Sequence, residues 1–245
     1  MYTFDSRVRY SETDPDGFLK IESLLDYLQD CSTFQSEDLG IGISFLKDQH
    51  WAWLVNYWQI DILRLPVLSE CIRIGTSPYE LKGFMGQRNF MIETISGERL
   101  VNVNSVWSLM NMDRMLPVRV PEIMLEKYEL FPRFDMEYAP RKINVPAGST
   151  AVQQRSFTVD ENMLDSNHHV NNAQYVRLAM EACVQDRPVR RLRVEYRRQA
   201  LLGDHIVPSV FECAEDMNRK VVSLDADDGK PYAVLELTTD KIEQL

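Results

Sequence analysis

Apolar side chains at Ile21, Leu24, Leu25, Leu28, Cys31 and Phe34 recur every three or four residues, and Gly40 follows them. That spacing predicts one long amphipathic helix over Ile21–Asp38. From Trp51 to Asn111 the period changes to short β-type runs, WAWLVNYWQIDIL, ECIRIGTS, QRNFMIETI and LVNVNSVWSLMN. Turn signals at LP, SPYELKG and SGE separate them, which predicts an antiparallel meander. Residues 112–150 are rich in Pro, Met and charge without a sustained period and read as a connector crossing a surface. Beyond them come a run QQRSFTV, a loop DENMLDSNHH, a helix from about Asn172 to Gln185, and the runs LRVEYRRQ, HIVPSVFECA, KVVSLDA and YAVLELTTD. Strand, helix and four strands thus occur twice, predicting two α+β units over 1–135 and 151–245 joined by a linker at 136–150. The loops before the two helices align: Asp14-Pro-Asp16-Gly-Phe18 precedes Asp165-Ser-Asn167-His-His169 by 151 residues. Asp16 and Phe18 are the counterparts of Asn167 and His169, so a duplicated unit with one working site is expected.

Composition narrows the classes. The chain has 245 residues, 44% hydrophobic and 26% charged, with 27 Lys plus Arg against 37 Asp plus Glu and a net charge of -10. An acidic chain is a poor match for a phosphate backbone, so nucleic acid is not an expected partner. No run approaches the roughly 18 apolar residues of a membrane span, and the start MYTFDSRVRY has no apolar signal core, so a soluble cytoplasmic protein is expected. Cys31, Cys71, Cys183 and Cys213 form no CxxC pair, which favours reduced thiols over a metal or disulfide framework. The chain has no Walker A loop, no G-x-S-x-G elbow and no G-x-G-x-x-G, and no cofactor is expected.

Candidate chemistry concentrates in LDSNHHVNNAQYV, with one acid, three Asn and two His running into the second helix. A helix start offers free N–H groups and positive potential to a developing oxyanion. The same residues, Asp165, Asn171 and Asn172, also suit capping and turn closure. His168 and His169 are chain neighbours that point apart, with no third ligand nearby in sequence, which disfavours a metal.

These residues, with Tyr175, Glu195-Tyr-Arg-Arg198 and Ser105-Val-Trp107-Ser-Leu-Met-Asn111, resemble the acyl-acyl carrier protein thioesterases of plants and bacteria along nearly the whole chain. The resemblance implies a tandem (double) hotdog, each half an α+β unit with a long helix in a curved antiparallel sheet. It also implies catalytic positions at Asp165, Asn167 and His169, with acyl carrier protein bearing a fatty acyl chain as partner. The family usually has Glu, often followed by Cys, after E-Y-R-R, whereas this chain has Gln199 and Ala200. Without a thiol at 200 a Cys-based route has no nucleophile, leaving attack by water. Gln199 can orient that water but cannot take its proton, so the base falls to His169 or Asp165. Backbone N–H groups near Asn171 are expected to hold the oxyanion.

The resemblance assigns the acyl tunnel to the first half, where Trp51, Trp53, Tyr57, Trp58, Met85, Phe90 and Met91 supply apolar bulk. Trp51 and Trp53 alternate onto one face and are expected to bind substrate. Arg187, Arg190, Arg191, Arg193, Arg197 and Arg198 fall within twelve residues. The cluster, Arg190 and Arg191 above all, suits docking of an acidic carrier protein as well as it suits a solvated strand face. A homodimer through sheet edges is a further possible assembly. Rival readings are a hotdog dehydratase of 3-hydroxyacyl chains and a double hotdog that binds acyl thioesters without hydrolysing them.

Overall fold

The first unit begins with β1 (Tyr2–Arg7) and a 3-10 turn at Tyr10–Glu12, then α1 (Ile21–Asp38), which has the bounds its period predicts. This computed structural model describes residues 1–146, 149–165, 168–183, 187–213 and 215–240. A short α2 (Ile43–Asp48) leads into β2 (Trp51–Ile62), β3 (Cys71–Lys82), β4 (Met85–Thr94) and β5 (Arg99–Asn111), then β6 (Leu116–Pro117) and α3 (Glu122–Lys127). The sheet runs β1-β3-β4-β5-β2 with every pairing antiparallel, and β6 pairs with β5. Leu24, Leu25, Leu28 and Cys31 on one stripe of α1 are fully buried, and the helix packs on β1 and β3. Each such leucine contributes about 1.5–3 kcal/mol of hydrophobic stabilisation.

Two local readings change. SPYELK is strand rather than turn, since β3 continues to Lys82 and the chain reverses at Gly83, whose φ is +63. Pro78 is tolerated there because β1 pairs only with Cys71–Thr76 and ends before it, so no ladder donor is required on that side. The expected featureless stretch also contains α3, too short to show a period. Its Met124 is buried with Ile41, Leu109, Val120 and Tyr128. A bulge between Val55 and Tyr57 resets the alternation of β2. Trp58, opposite Ser105, thereby joins the face of Trp51 and Trp53, which oppose Asn111 and Leu109.

The second unit has β7 (Val152–Gln153) and β8 (Phe157–Thr158), a 3-10 turn at Glu161–Met163, and α4 (Asn172–Ala182). After these come β9 (Val189–Tyr196), β10 (His205–Glu212), β11 (Arg219–Asp225) and β12 (Pro231–Thr239). Its antiparallel sheet runs β9-β12-β11-β10-β7, with β8 also on β10. Ala173, Tyr175, Val176, Leu178 and Ala179 are buried on α4, which packs on β10, β11 and β12. The predicted run QQRSFTV is split into two short strands, and the helix ends at Ala182, with Gln185 outside the described residues. The two α+β units are the expected hotdog halves. No helix among the described residues is long and apolar enough to cross a membrane.

The units divide between Tyr138 and Ala139. The expected linker 136–150 is therefore shared, because side chains of β9 fasten its second part to their own sheet. Arg193 donates to the carbonyls of Pro140 and Lys142, Glu195 accepts from the Ile143 N–H at 3.0 Å, and Arg197 donates to the Ile143 carbonyl at 3.1 Å. Ile143 itself is buried against Val221 and Val234. The same Arg193 shares the buried Glu236 carboxylate with Arg219, at 2.6 and 2.5 Å. Removing Glu236 takes the carboxylate out of a buried charge pair. Glu236→Ala should therefore cost about 3–5 kcal/mol in a urea denaturation series. A loss below about 1 kcal/mol, the usual worth of an exposed pair, would mean the cluster is solvent-screened.

Candidate active site

The loop into α4 is closed by its own aspartate. Asp165 N–H donates to the His169 carbonyl at 2.7 Å, the His168 N–H to the Asp165 carbonyl at 3.0 Å, and the His169 N–H to Asp165 Oδ1 at 3.2 Å. A bridge between Leu164 and Val170 seals its base. The turn forces His168 into the left-handed region at φ 61, with its side chain exposed, while His169 is half-buried. Among the described residues the His169 imidazole makes no hydrogen bond, so its nitrogens are available to a ligand. Asn167 lies outside the described residues.

The first unit builds the same loop 151 positions earlier. Asp14 N–H donates to the Phe18 carbonyl at 2.8 Å, Gly17 N–H to the Asp14 carbonyl at 3.1 Å, and Phe18 N–H to Asp14 Oδ1 at 2.9 Å. Thr13 and Leu19 bridge its base, and Gly17 has φ +84. The entry to the helix also repeats: Lys20 N–H meets the Glu12 carbonyl as Asn171 N–H meets that of Met163, both at 2.9 Å. The alignment of the loops is thus a structural repeat, in which Gly17 and Phe18 stand where the second loop has His168 and His169.

Asn171 is the cap of α4, its Oδ1 accepting the Ala173 N–H at 2.9 Å. Its own N–H is committed to Met163, and the Val170 N–H to the Ala200 carbonyl at 3.1 Å. Two of the backbone N–H groups expected as oxyanion donors near Asn171, those of Val170 and Asn171, are thus engaged by loop carbonyls. What Asn171 retains is its side-chain Nδ2, oriented by the cap bond.

Ala200 is fully buried and held at both ends of its peptide unit. Its carbonyl takes the Val170 N–H and its N–H donates to the Tyr175 hydroxyl at 2.9 Å. His169 and Gln199 each sit one residue from the Val170–Ala200 bond, so this clip joins the two segments that carry them. Gln199 is half-buried, and its amide makes no hydrogen bond among the described residues. Tyr175 stacks edge-on with Tyr196 at 5.7 Å, and the Tyr196 hydroxyl donates to the Asn172 carbonyl at 3.0 Å. Burial pushes the Tyr175 phenol well above its ordinary value, so it stays protonated. Sequence reasoning gave Tyr175 no role; its spacing of four from Asn171, on the buried side of the cap, was the available signal.

The remaining sequence-predicted residues are placed elsewhere in their units. E-Y-R-R is architectural: Glu195 and Arg197 hold the connector, Tyr196 the helix start, and Arg198 pairs with Asp228 at 2.9 Å. Arg190 is forked onto Asp240 at 2.6 and 2.9 Å, so its charge is already balanced, and Arg191 is half-buried opposite Thr238 on β12. Trp51 and Trp53 are half-buried against the Ile41, Leu109 and Met124 cluster under α2 and α3.

Comparison with known proteins gives two family matches, the acyl-ACP thioesterase N-terminal domain over residues 1–128 and the acyl-ACP thioesterase C-terminal domain over residues 148–231. A chloroplastic acyl-acyl carrier protein hydrolase, FATB1 of Cuphea viscosissima, is 26% identical over 223 residues, covering 83% of this chain and 52% of the relative. An oleoyl-acyl carrier protein thioesterase of Arabidopsis thaliana is 24% identical over 246 residues, 91% of this chain and 65% of the relative. The chain spans about half the length of the first curated relatives it matches. Among solved structures, an acyl-ACP thioesterase from Bacteroides thetaiotaomicron superposes with a TM-score of 0.86 at 21% identity, covering 97% of both chains. A 12:0-ACP thioesterase from Umbellularia californica gives 0.81 at 18%, again over 97% of both.

Two substitutions test this geometry. Tyr175→Phe strips the acceptor from a buried N–H and should cost about 1–3 kcal/mol, with faster hydrogen exchange at the Ala200 amide. Unchanged protection there would show that the hydroxyl does not hold residue 200. His168→Gly, matching Gly17, should leave the urea midpoint unchanged or raise stability by up to about 1 kcal/mol by relieving the left-handed backbone. A clear loss would mean that the imidazole supports the loop.

Proposed function

This chain belongs to the acyl-ACP thioesterase family, and from that premise we propose that it hydrolyses the thioester of acyl-acyl carrier protein, releasing a free fatty acid and ending chain elongation. The observation that carries the assignment of roles is the repeated loop. Asp14 closes the first loop as Asp165 closes the second, yet the first has phenylalanine where the second has His169. Closing the loop is thus work that an aspartate does without any chemistry beside it. Asp165 is the organiser, and His169 is the base.

In the proposed reaction His169 removes a proton from a water whose oxygen attacks the thioester carbonyl carbon. Asn167 and the Asn171 Nδ2 stabilise the oxyanion, in place of the Val170 and Asn171 N–H groups, which loop carbonyls already engage. Collapse breaks the C–S bond, and the phosphopantetheine thiolate takes the proton back from His169. The products are the acid and the carrier thiol. Gln199, joined to the His169 segment through Ala200, orients the water but accepts no proton. The buried methyl of Ala200 offers no nucleophile for an acyl-enzyme. Carrier docking at the Arg190 and Arg191 segment is part of the proposal, with Asp240 competing for Arg190. The cytoplasm is the proposed setting, and a second copy of the chain, paired at a sheet edge, a further proposed partner.

Thiol release from a panel of acyl-acyl carrier proteins tests the reading. Gln199→Glu should raise turnover by about ten-fold by supplying a second proton acceptor. Asp165→Asn should keep a folded loop and most of the turnover, because an amide oxygen still accepts the His169 N–H. No gain from Gln199→Glu would remove residue 199 from the water's path. Carrier binding without thiol release by the native chain would favour the non-hydrolysing acyl-binding reading.

A further inference from the structure

We propose that the core of the first unit contains a row of polar groups that recognises a hydroxyl substituent on the acyl chain. The proposal deepens the reading above and rests on it, since it takes the acyl chain to enter this unit.

Arg88, Ser105 and Trp58 lie directly opposite one another across β4, β5 and β2, so their side chains share one face of the sheet. Phe90, next on that face, is touched by both ends of the row: the Arg88 guanidinium carbon is 5.8 Å from its ring and the Trp58 ring 5.2 Å. The last turns of α1 reach the row through Tyr128. There the Ser36 hydroxyl is 2.7 Å from that of Tyr128, whose ring lies 5.5 Å from the guanidinium, and Gln35 is buried on the same turn. Cys31, one turn earlier, feels the Arg88 charge, which partly offsets the burial that pushes its thiol up to about 12.

Two of these groups, Trp58 and Gln35, hold a buried polar atom that no protein group satisfies, while Arg88 is engaged by Tyr128. Arg88 is 9% exposed and forms no ion pair with a carboxylate among the described residues, and burial lowers its pKa. Trp58 is fully buried with no partner for Nε1, whereas the adjacent Trp107 donates to Ser105 Oγ at 2.7 Å. Gln35 is buried with no partner for Oε1. The row therefore offers two donors, one of them cationic, and one acceptor. A hydroxyl has two lone pairs and one O–H, so it accepts from Arg88 and Trp58 and donates to Gln35. An oxo group satisfies the donors but leaves Gln35 unpaired, and a saturated chain satisfies none. Sites that hydrogen-bond a substrate hydroxyl discriminate strongly against the analogue lacking it. Because Trp58 is fully enclosed, the chain reaches the row by displacing its neighbours.

The test compares kcat/KM for acyl-acyl carrier proteins of one length that are saturated, oxo-substituted, or hydroxylated at successive carbons. The native chain should prefer one hydroxyl position by at least about ten-fold over the saturated chain, with the oxo chain between them. Gln35→Met and Trp58→Phe should each bring that ratio towards one. Trp58→Phe also opens a void and lowers Tm, so the readout is the ratio, while Gln35→Met removes an unpaired atom at similar volume and should not lower Tm. Equal rates in the native chain at every hydroxyl position would overturn the proposal and leave the row to a buried water. A preference that survives both substitutions would overturn it too. If the native chain hydrolyses none of these thioesters, the thioesterase reading fails, and the row is judged by calorimetric binding of hydroxylated against saturated free fatty acids. A higher affinity for one hydroxylated acid, lost in Gln35→Met, would then support the row, and equal affinities would overturn it.

Discussion

The structure depends most on the closure of a short loop by its own aspartate at the entry to a long helix. That closure spends the N–H groups of residues 165, 168 and 169 within the loop, and residues 170 and 171 are committed to Ala200 and Met163. With these five main-chain N–H groups engaged, the His169 imidazole, the Asn171 Nδ2 and the Gln199 amide are side-chain groups at this end of α4 that make no hydrogen bond among the described residues. In the proposed reaction the oxyanion is therefore assigned to side chains instead of to a bare helix start. The clip through Tyr175 and Ala200 extends the constraint to the segment after β9, which fixes Gln199 relative to His169 without any bond from either side chain.

The same closure in the first unit separates scaffold from chemistry. Asp14 and Asp165 perform the same task at hydrogen-bond lengths of 2.9 and 3.2 Å, so an intact aspartate is no sign of activity in either loop. Gly17 adopts φ +84 without cost, whereas His168 meets the same demand at φ 61 with a side chain that disfavours it by about 1–2 kcal/mol. The first unit, relieved of the histidine, has a buried stripe on α1 that runs from Leu24 to Gln35 and a sheet face that carries Arg88 and Trp58. Each copy keeps the frame and diverges in the few side chains that the frame exposes.

The helix bounds at Ile21 and Asp38, the strand order in time along the chain, and the alignment of Asp14 with Asp165 were legible because each rests on local period or composition. The loops could be matched from sequence because the left-handed residue and the closing aspartate are both local requirements. What escaped was non-local. The strand through Pro78 depends on β1 ending at the register of Thr76, which no run of letters near Pro78 records. The role of Tyr175 depends on where residue 200 returns to the helix. The arginines of E-Y-R-R and its neighbours looked like a basic patch until their partners, Asp228, Asp240 and Glu236, came from strands and loops 30 to 50 residues away. Asn171 carried two readings in sequence, and the structure shows the cap.

The central claim is that His169 turns a loop built twice into a working site in one copy. The most direct measurement gives the second loop the residue of the first: thiol release from acyl-acyl carrier protein by His169→Phe beside the native chain, with circular dichroism to follow the fold. The account predicts repeated turnover by the native chain and a loss of at least about a hundred-fold in the variant with its spectrum intact. Turnover by the folded variant at the native rate would contradict it.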